Sequence, residues 1–304
     1  MKIRKKENRK DLLFYCCMIA LPILQVSIFY IYMNFNSVLL AFKSYEKDAI
    51  GQWGYTFVGG DNFIAAVKNL VTERVFSISF KNSILLFFFS FVFGTFLAEI
   101  FSYYIYKKYP LSKFFQIILF LPQIVSSVVM VIIFKYLAEE MIPTLCNSVF
   151  GTEMVGLLTK HDTAFSSVLV YSIFISYGSS ILLFLGAMNN INESVLEAGQ
   201  LDGMNVIQEF LFIAFPSVWS TFVTLTITAI AGIFANQMNL YTIYGKNADY
   251  DMYTIGYYLY TETVSASYAD YPYLSALGII FSVVLFPICL LTRRLMLKYG
   301  PSEE

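Results

Sequence analysis

Four carboxylates, Glu193, Glu197, Asp202 and Glu209, gather within a short stretch of the chain that holds no Lys or Arg. No paired Cys motif or nucleophile–His pair accompanies them, so the chemistry open to them is electrostatic. They can attract basic side chains from another surface, or they can simply solvate a helix lying at a membrane face. A second group carries hydrogen-bonding chemistry inside otherwise apolar sequence: Gln123, Ser126 and Ser127, then Tyr177, Ser179 and Ser180, then Asn236, Gln237 and Asn239. Carboxamides, hydroxyls and aromatic faces in an apolar wall are what a polar solute needs. Polar groups in spanning helices are costly and often face a cavity, although Ser and Tyr also satisfy neighbouring helices. The last three residues crowd within four positions and carry the reading best, although their place at the edge of a span equally suits a gate or a contact with another protein. Glu99 is the carboxylate set well inside an apolar stretch. One isolated carboxylate makes a poor proton relay, and a structural hydrogen bond is the simpler expectation for it.

Several chemistries find no support. Cys16, Cys17, Cys146 and Cys289 have no metal-site spacing, and packing is their expected role. His161 is the single histidine and sits in a polar stretch. The sequence has no GxxxxGK[ST] loop to cradle phosphates and no HExxH pair. A net charge of −1 gives nucleic acid no basic surface to bind.

The elements that must hold these residues are membrane helices. Of 304 residues, 58% are hydrophobic and 13% are charged, against about 25% charged in a soluble domain. Thirty Phe and twenty-three Tyr suit lipid contact and interfacial belts. A spanning helix needs about 20 apolar residues, and six stretches qualify, near 12–40, 80–106, 114–137, 164–188, 211–236 and 273–297. The first has the basic leader MKIRKKENRK but runs too long for a signal peptide and lacks a small-residue cleavage site, so it reads as a retained helix. Lys and Arg concentrate in residues 1–11, at Lys107, Lys108 and Lys113, and at Arg293, Arg294 and Lys298. By the positive-inside rule both termini are cytoplasmic. The same orientation places loops 41–79 and 241–271 outside and loop 189–212 inside, with 12–300 as one membrane domain and 301–304 as a tail. Pro and Gly within the spans serve helix packing, or hinges of a gated path.

Within loop 189–212 the local signals predict helix, sharp turn, helix. Asn192 can cap a helix whose first turn holds Glu193, and Gly203 can take the left-handed conformation that stops it. Asn205, with Gln208 three residues on, reads as a capping box opening the return to the membrane. Ala198 and Gly199 carry so little side chain that a partner could approach the backbone there.

The same residues resemble a family signature. Glu197-Ala198, then Gly203, then nine residues before Ile213 and Pro216, is similar to the EAA motif of ABC-importer permeases, E-A-A-x-x-x-G-x9-I-x-L-P, with Gly199 and Phe215 as departures. LPQIVSSVVMVIIFKYL resembles the third-span pattern of that family. IFANQMNLYTIY, TIGYYLY and YADYPYLSALGIIFSVVLF resemble the last third of its carbohydrate-uptake members, although their T-x-G-G-P is replaced by IYGKNADYDMYT. The resemblance implies an all-α polytopic membrane protein with six transmembrane helices, the type I ABC importer permease fold, in a bacterial cell membrane. It implies that Glu197, Ala198, Gly199, Asp202 and Gly203 form a coupling helix docking on a cytoplasmic ATPase. It implies as partners a second permease, two ATPase subunits carrying ATP and Mg, and an extracellular solute-binding protein that delivers a carbohydrate. This chain itself would bind no cofactor and catalyse nothing. Import of a non-sugar solute by the same fold is the nearest alternative. An ion-coupled transporter, which should show several intramembrane carboxylates or broken helices in repeated halves, is a further one.

Overall fold

A computed structural model describes residues 2–47, 51–151 and 153–301, with the backbone alone for residues 2–10. The basic side chains of the N-terminal leader and most of the tail 301–304 lie outside the described residues. The chain divides into two compact units, residues 1–69 with 265–280 and residues 70–264 with 281–304.

The first unit holds a long apolar helix, Asp11–Leu40, whose most apolar window is unburied throughout. A π-helical turn, Ser27–Tyr32, interrupts its regular winding. Directly after it the chain departs from the expected all-α fold. Lys43–Lys47 and Trp53–Phe57 form an antiparallel hairpin, with Tyr45 opposite Tyr55. Alternation of large and small residues in WGYTF has the two-residue period of a strand, and Gly51 turns with φ +83°. The Asn62 amide, at the start of helix Asp61–Thr72, donates to the carbonyls of Ala41 and Lys43 (2.9 and 2.7 Å) and pins the base of the hairpin.

The second unit is a helical bundle centred on His161–Met188, an unbroken helix of 28 residues. It packs along the helix Arg74–Tyr106 and along Ser112–Ile124. Two apolar clusters hold the bundle. One gathers Leu86, Val131, Val168, Tyr171, Met238 and Tyr257, and the other Ala98, Ile181, Phe184, Met188, Ala214 and Val218. Gly178 lets Ser112–Ile124 come close to the central helix, because a Cβ there would lie 2.4 Å from the Leu119 carbonyl oxygen. At the far end of the bundle the Trp219 indole donates to the Met296 carbonyl (3.1 Å).

Among the described residues four helices are long and apolar enough to cross a membrane, Asp11–Leu40, Arg74–Tyr106, His161–Met188 and Tyr271–Tyr299. The other two expected spans are not single helices. The stretch near 114–137 breaks after Ile124, and Ser127–Phe150 leaves at 110° to Ser112–Ile124. Val125 and Ser126 are extended there, just past Pro122. Thirteen residues of helix reach only about 20 Å, short of a bilayer core. The stretch near 211–236 begins earlier, at Val206, and bends by 68° at Val218, two residues after Pro216. By length and composition the described residues thus hold four candidate crossings, or up to six where each bent pair makes one.

Candidate functional site

Two places in the second unit collect the residues that carry chemistry. The first is the acidic turn. Asn192 Oδ1 accepts from the Ser194 backbone N–H (3.1 Å) and caps the helix Glu193–Leu201. That helix ends at Gly203, with φ +79°, where Gly203 N–H donates to the Gln200 carbonyl and Met204 N–H to the Gly199 carbonyl (3.1 and 3.0 Å). These two bonds make a Schellman cap, which needs a left-handed residue at this point. A Cβ on Gly203 would meet nothing within 4 Å, so backbone conformation and not space requires glycine. The next helix opens on the full capping box, Asn205 Oδ1 accepting from Gln208 N–H and Gln208 Oε1 accepting from Asn205 N–H, both at 2.9 Å. Helix, turn and helix are thus fixed by side-chain caps and the Schellman pair, and the side chains of Glu197, Ala198, Asp202 and Leu201 stand outside them, with Leu201 90% exposed.

Two readings of this turn need correction. Gly199 is buried, not open to a partner: its missing side chain makes room for Ile213 Cδ1 and Met204 Sδ, which a Cβ would meet at 2.9 and 3.1 Å. Ala198 alone of the pair is exposed. Nor do all four carboxylates await another chain. Glu209 is buried and takes the Lys107 ammonium at 2.7 Å, while the Tyr103 hydroxyl donates to the same oxygen at 3.1 Å. The pairing partner lies about a hundred positions away in sequence, so no local pattern reveals it.

The second place is a cavity of about 270 Å³ between Arg74–Tyr106, His161–Met188 and Trp219–Ala231. Its polar lining is hydroxyl-rich: Ser83, Ser90 and Thr95 from the first helix, Ser172, Ser176, Ser179 and Ser180 from the second, Thr228 from the third. Asn236 also lines it. Its side chain accepts from Met238 N–H (2.9 Å), and its carbonyl accepts from the Thr254 hydroxyl (2.9 Å). Met238 and Asn239 are both left-handed, with φ +53° and +55°, and the Ser172 hydroxyl donates to the Met238 carbonyl at 3.2 Å. Gly256 lies on this turn so closely that a Cβ would come within 2.6 Å of the Ala235 and Asn236 backbone. Beyond the turn, burial pushes the Tyr244 hydroxyl up to about 12, helped by Glu139 and Asp249. It stays protonated and donates to the Leu158 carbonyl (3.1 Å).

Of the sequence-predicted path residues, Asn236, Ser179 and Ser180 line this cavity and the others do not. Tyr177 is buried among Ile181 and Phe184, with its ring edge-on to Phe101. Gln123 donates to the Ile175 carbonyl and ties the bent segment to the central helix. Ser126 and Ser127 mark the break after Ile124 and are exposed. Gln237 and Asn239 serve the turn backbone: the Gln237 carbonyl accepts from Leu240 N–H, and Asn239 precedes the helix Leu240–Tyr244. The missed Ser172 and Ser176 had a signal: with Ser179 and Ser180 they fall four, seven and eight residues along from Ser172, one face of a helix, and Thr228, Gly232 and Asn236 recur every four. The hydrogen bond expected for Glu99 is absent: the side chain is fully buried and, among the described residues, neither carboxylate oxygen has a hydrogen-bond partner.

Comparison with known proteins bears on both places. The model of one family, described as binding-protein-dependent transport system inner membrane component, matches residues 75–301, which include the turn and the cavity. The chain is 23% identical to the arabinooligosaccharides transport system permease protein AraP of Halalkalibacterium halodurans, over 85% of this chain and 77% of that one. It is 24% identical to the AraP protein of Bacillus subtilis, over 90% of this chain and 85% of that one. The polygalacturonan/rhamnogalacturonan transport system permease protein YteP of Bacillus subtilis is also 24% identical, over 98% and 94% of the two chains. A chain in the crystal structure of a bacterial ABC transporter involved in the import of the acidic polysaccharide alginate superimposes with a TM-score of 0.78 at 22% identity, covering 97% of this chain and 98% of that one.

Proposed function

We propose a function that starts from family membership: the chain belongs to the binding-protein-dependent transport system inner membrane components. Within that family we infer that it is the permease subunit of an ATP-driven importer of a carbohydrate, an oligosaccharide by the evidence of its relatives. It shares the translocation path with a second permease, receives solute from an extracellular binding protein, and is driven by two cytoplasmic ATPase subunits that hold ATP and Mg. In this reading the chain crosses the membrane six times, each bent pair making one crossing, with both termini cytoplasmic. It performs no catalysis of its own.

The observation that carries this reading is the doubly capped turn at 192–209. Its capping N–H groups are satisfied internally, so we take its exposed side chains as what it offers a partner. Glu197 and Asp202 would meet basic residues of the ATPase, and Leu201 would enter an apolar recess, since a fully exposed leucine gains about 1.5–3 kcal/mol on burial. Gly203 sets the turn, and Gly199 seats Met204 and Ile213 beneath it. The hydroxyl-lined cavity supports a carbohydrate as solute, because Ser and Thr oxygens can both donate to and accept from sugar hydroxyls. The names of the relatives point to the same class: arabinooligosaccharides and polygalacturonan/rhamnogalacturonan.

The experiment is reconstitution of the chain with its co-expressed partners, followed by ATPase association and solute uptake. Glu197→Lys is expected to abolish both, with melting of the permease unchanged because Glu197 is exposed. Uptake and association at wild-type levels in that variant would overturn the coupling assignment.

A further inference from the structure

The hairpin of the first unit carries a side-chain pattern that neither the turn nor the cavity explains. In its register Lys43 faces Phe57, Tyr45 faces Tyr55, and Lys47 faces Trp53. Since alternate residues of a strand share a face, all six of these side chains lie on one side of the ribbon. The other side carries Ser44, Glu46, Gly54 and Thr56, and Glu46 is occupied there by the Ser44 hydroxyl at 2.7 Å. One face is therefore aromatic and cationic, and the carboxylate of the hairpin strands is kept off it.

The rings are organised as a surface. Tyr45 stacks on Trp53 with centroids 5.5 Å apart and planes 13° apart, and it also touches the rings of Tyr55 and Tyr268. The Tyr55 hydroxyl donates to the Tyr268 carbonyl at 3.1 Å, which fixes the second segment against the first. The Lys47 ammonium stands 5.4 Å from the Trp53 ring centroid. Despite these contacts Trp53 is 61% exposed, Phe57 77% and Tyr268 67%. The nearby Asp270 carboxylate is held by the Ser267 amide and hydroxyl (2.9 and 2.7 Å), a pairing that keeps it below the usual carboxylate range.

We propose that this face is a binding site for an acidic oligosaccharide, with pyranose rings lying on Trp53 and Tyr45 and their carboxylates meeting Lys43 and Lys47. A pyranose presents a flat C–H face to an aromatic ring, and a uronate carries its carboxylate on the same ring. Exposed aromatic rings with the Lys47 ammonium over the Trp53 ring and Lys43 on the same face match both features at once. Anionic lipid headgroups share the charge but offer no flat face for stacked rings to cover. The proposal goes beyond the transport reading, because binding here is a property of the isolated chain and survives if the ATPase assignment fails.

The test uses the full chain in nanodiscs of zwitterionic lipid. Tryptophan emission is the readout, since Trp53 and Trp219 are the two tryptophans, and a Trp53→Phe variant subtracts the contribution of Trp219. The probe is tetragalacturonate, with maltotetraose as the neutral control of equal length. Saturable change in Trp53 emission with the acidic probe is expected, together with at least tenfold weaker binding in the Lys43→Gln/Lys47→Gln variant and in 0.5 M salt. Because Trp53 and Lys47 are exposed and Lys43 is half-buried at the strand's start, circular dichroism and melting should match the parent chain. Equal response to maltotetraose, unchanged affinity in the double lysine variant, or a response to phosphatidylglycerol nanodiscs in place of the acidic probe would each overturn the proposal.

Discussion

At the residue scale the most consequential contact is the one between Lys107 and Glu209. Both groups are largely withdrawn from water, with side chains 19% and 6% exposed. Removing one partner strands the other, which typically costs about 3–5 kcal/mol. Lys107→Met should therefore lower the melting temperature of the purified chain sharply, and Lys107→Met/Glu209→Gln should recover most of the loss, since the buried charge is gone. A double-mutant cycle on thermal melting measures the difference. Glu99 presents the opposite case. Its oxygens are buried without partners, and unsatisfied polar atoms of this kind are costly. Glu99→Met is expected to raise the melting temperature, and a fall would mean that the group has a stabilising partner. Gly203 adds a third expectation: an L-residue at φ +79° is strained by about 1 kcal/mol, so Gly203→Ala should lower stability modestly in the same assay.

At the scale of elements, helix faces were legible and helix breaks were only half so. The caps at Asn192 and Asn205 and the glycine stop at Gly203 could be read from residue type alone, because each depends on neighbours within four positions. Pro122 and Pro216 signalled trouble, but a proline in a membrane helix is tolerated when neighbours satisfy the freed groups. Whether the chain kinks or turns through 110° depends on contacts far away in sequence, such as Gln123 to the Ile175 carbonyl. The same holds for the candidate site. Asn236 was legible as a carboxamide at the end of a span, whereas the partners of Ser83 and Ser172 lie in other elements, at Ile255 and Met238. The cavity itself yields a prediction. A Cβ on Gly94 would meet only Ser176 Oγ, at 3.5 Å, so Gly94→Ala should leave uptake near normal, while Gly94→Leu fills the space and should cut it at least tenfold. ATPase association, measured by co-purification, should be the same for both.

At the scale of the whole molecule, composition alone pointed to a membrane protein, and the twenty-residue motif pointed to its family. What composition concealed was the hairpin, because five-residue strands leave too small an imprint on a chain so rich in apolar residues. The hairpin and the acidic turn belong to different compact units. A chain in which residues 43–57 are replaced by a short Gly-Ser linker should therefore still co-purify with the ATPase. The paired Lys107 and Glu209 have a mechanical consequence as well. Lys107 ends the helix that supplies Ser90 and Thr95 to the cavity, and Glu209 sits seven residues past Asp202 in the turn. The helix supplying Ser176 and Ser180 ends at Met188, just ahead of the same turn. If the turn takes a load, as the proposed coupling requires, that load would pull on two walls of the chamber together, through covalent chain on one side and a single ionic rivet on the other. Cutting the rivet would leave one wall driven and the other idle, a transmission that slips while both ends of the machine remain intact.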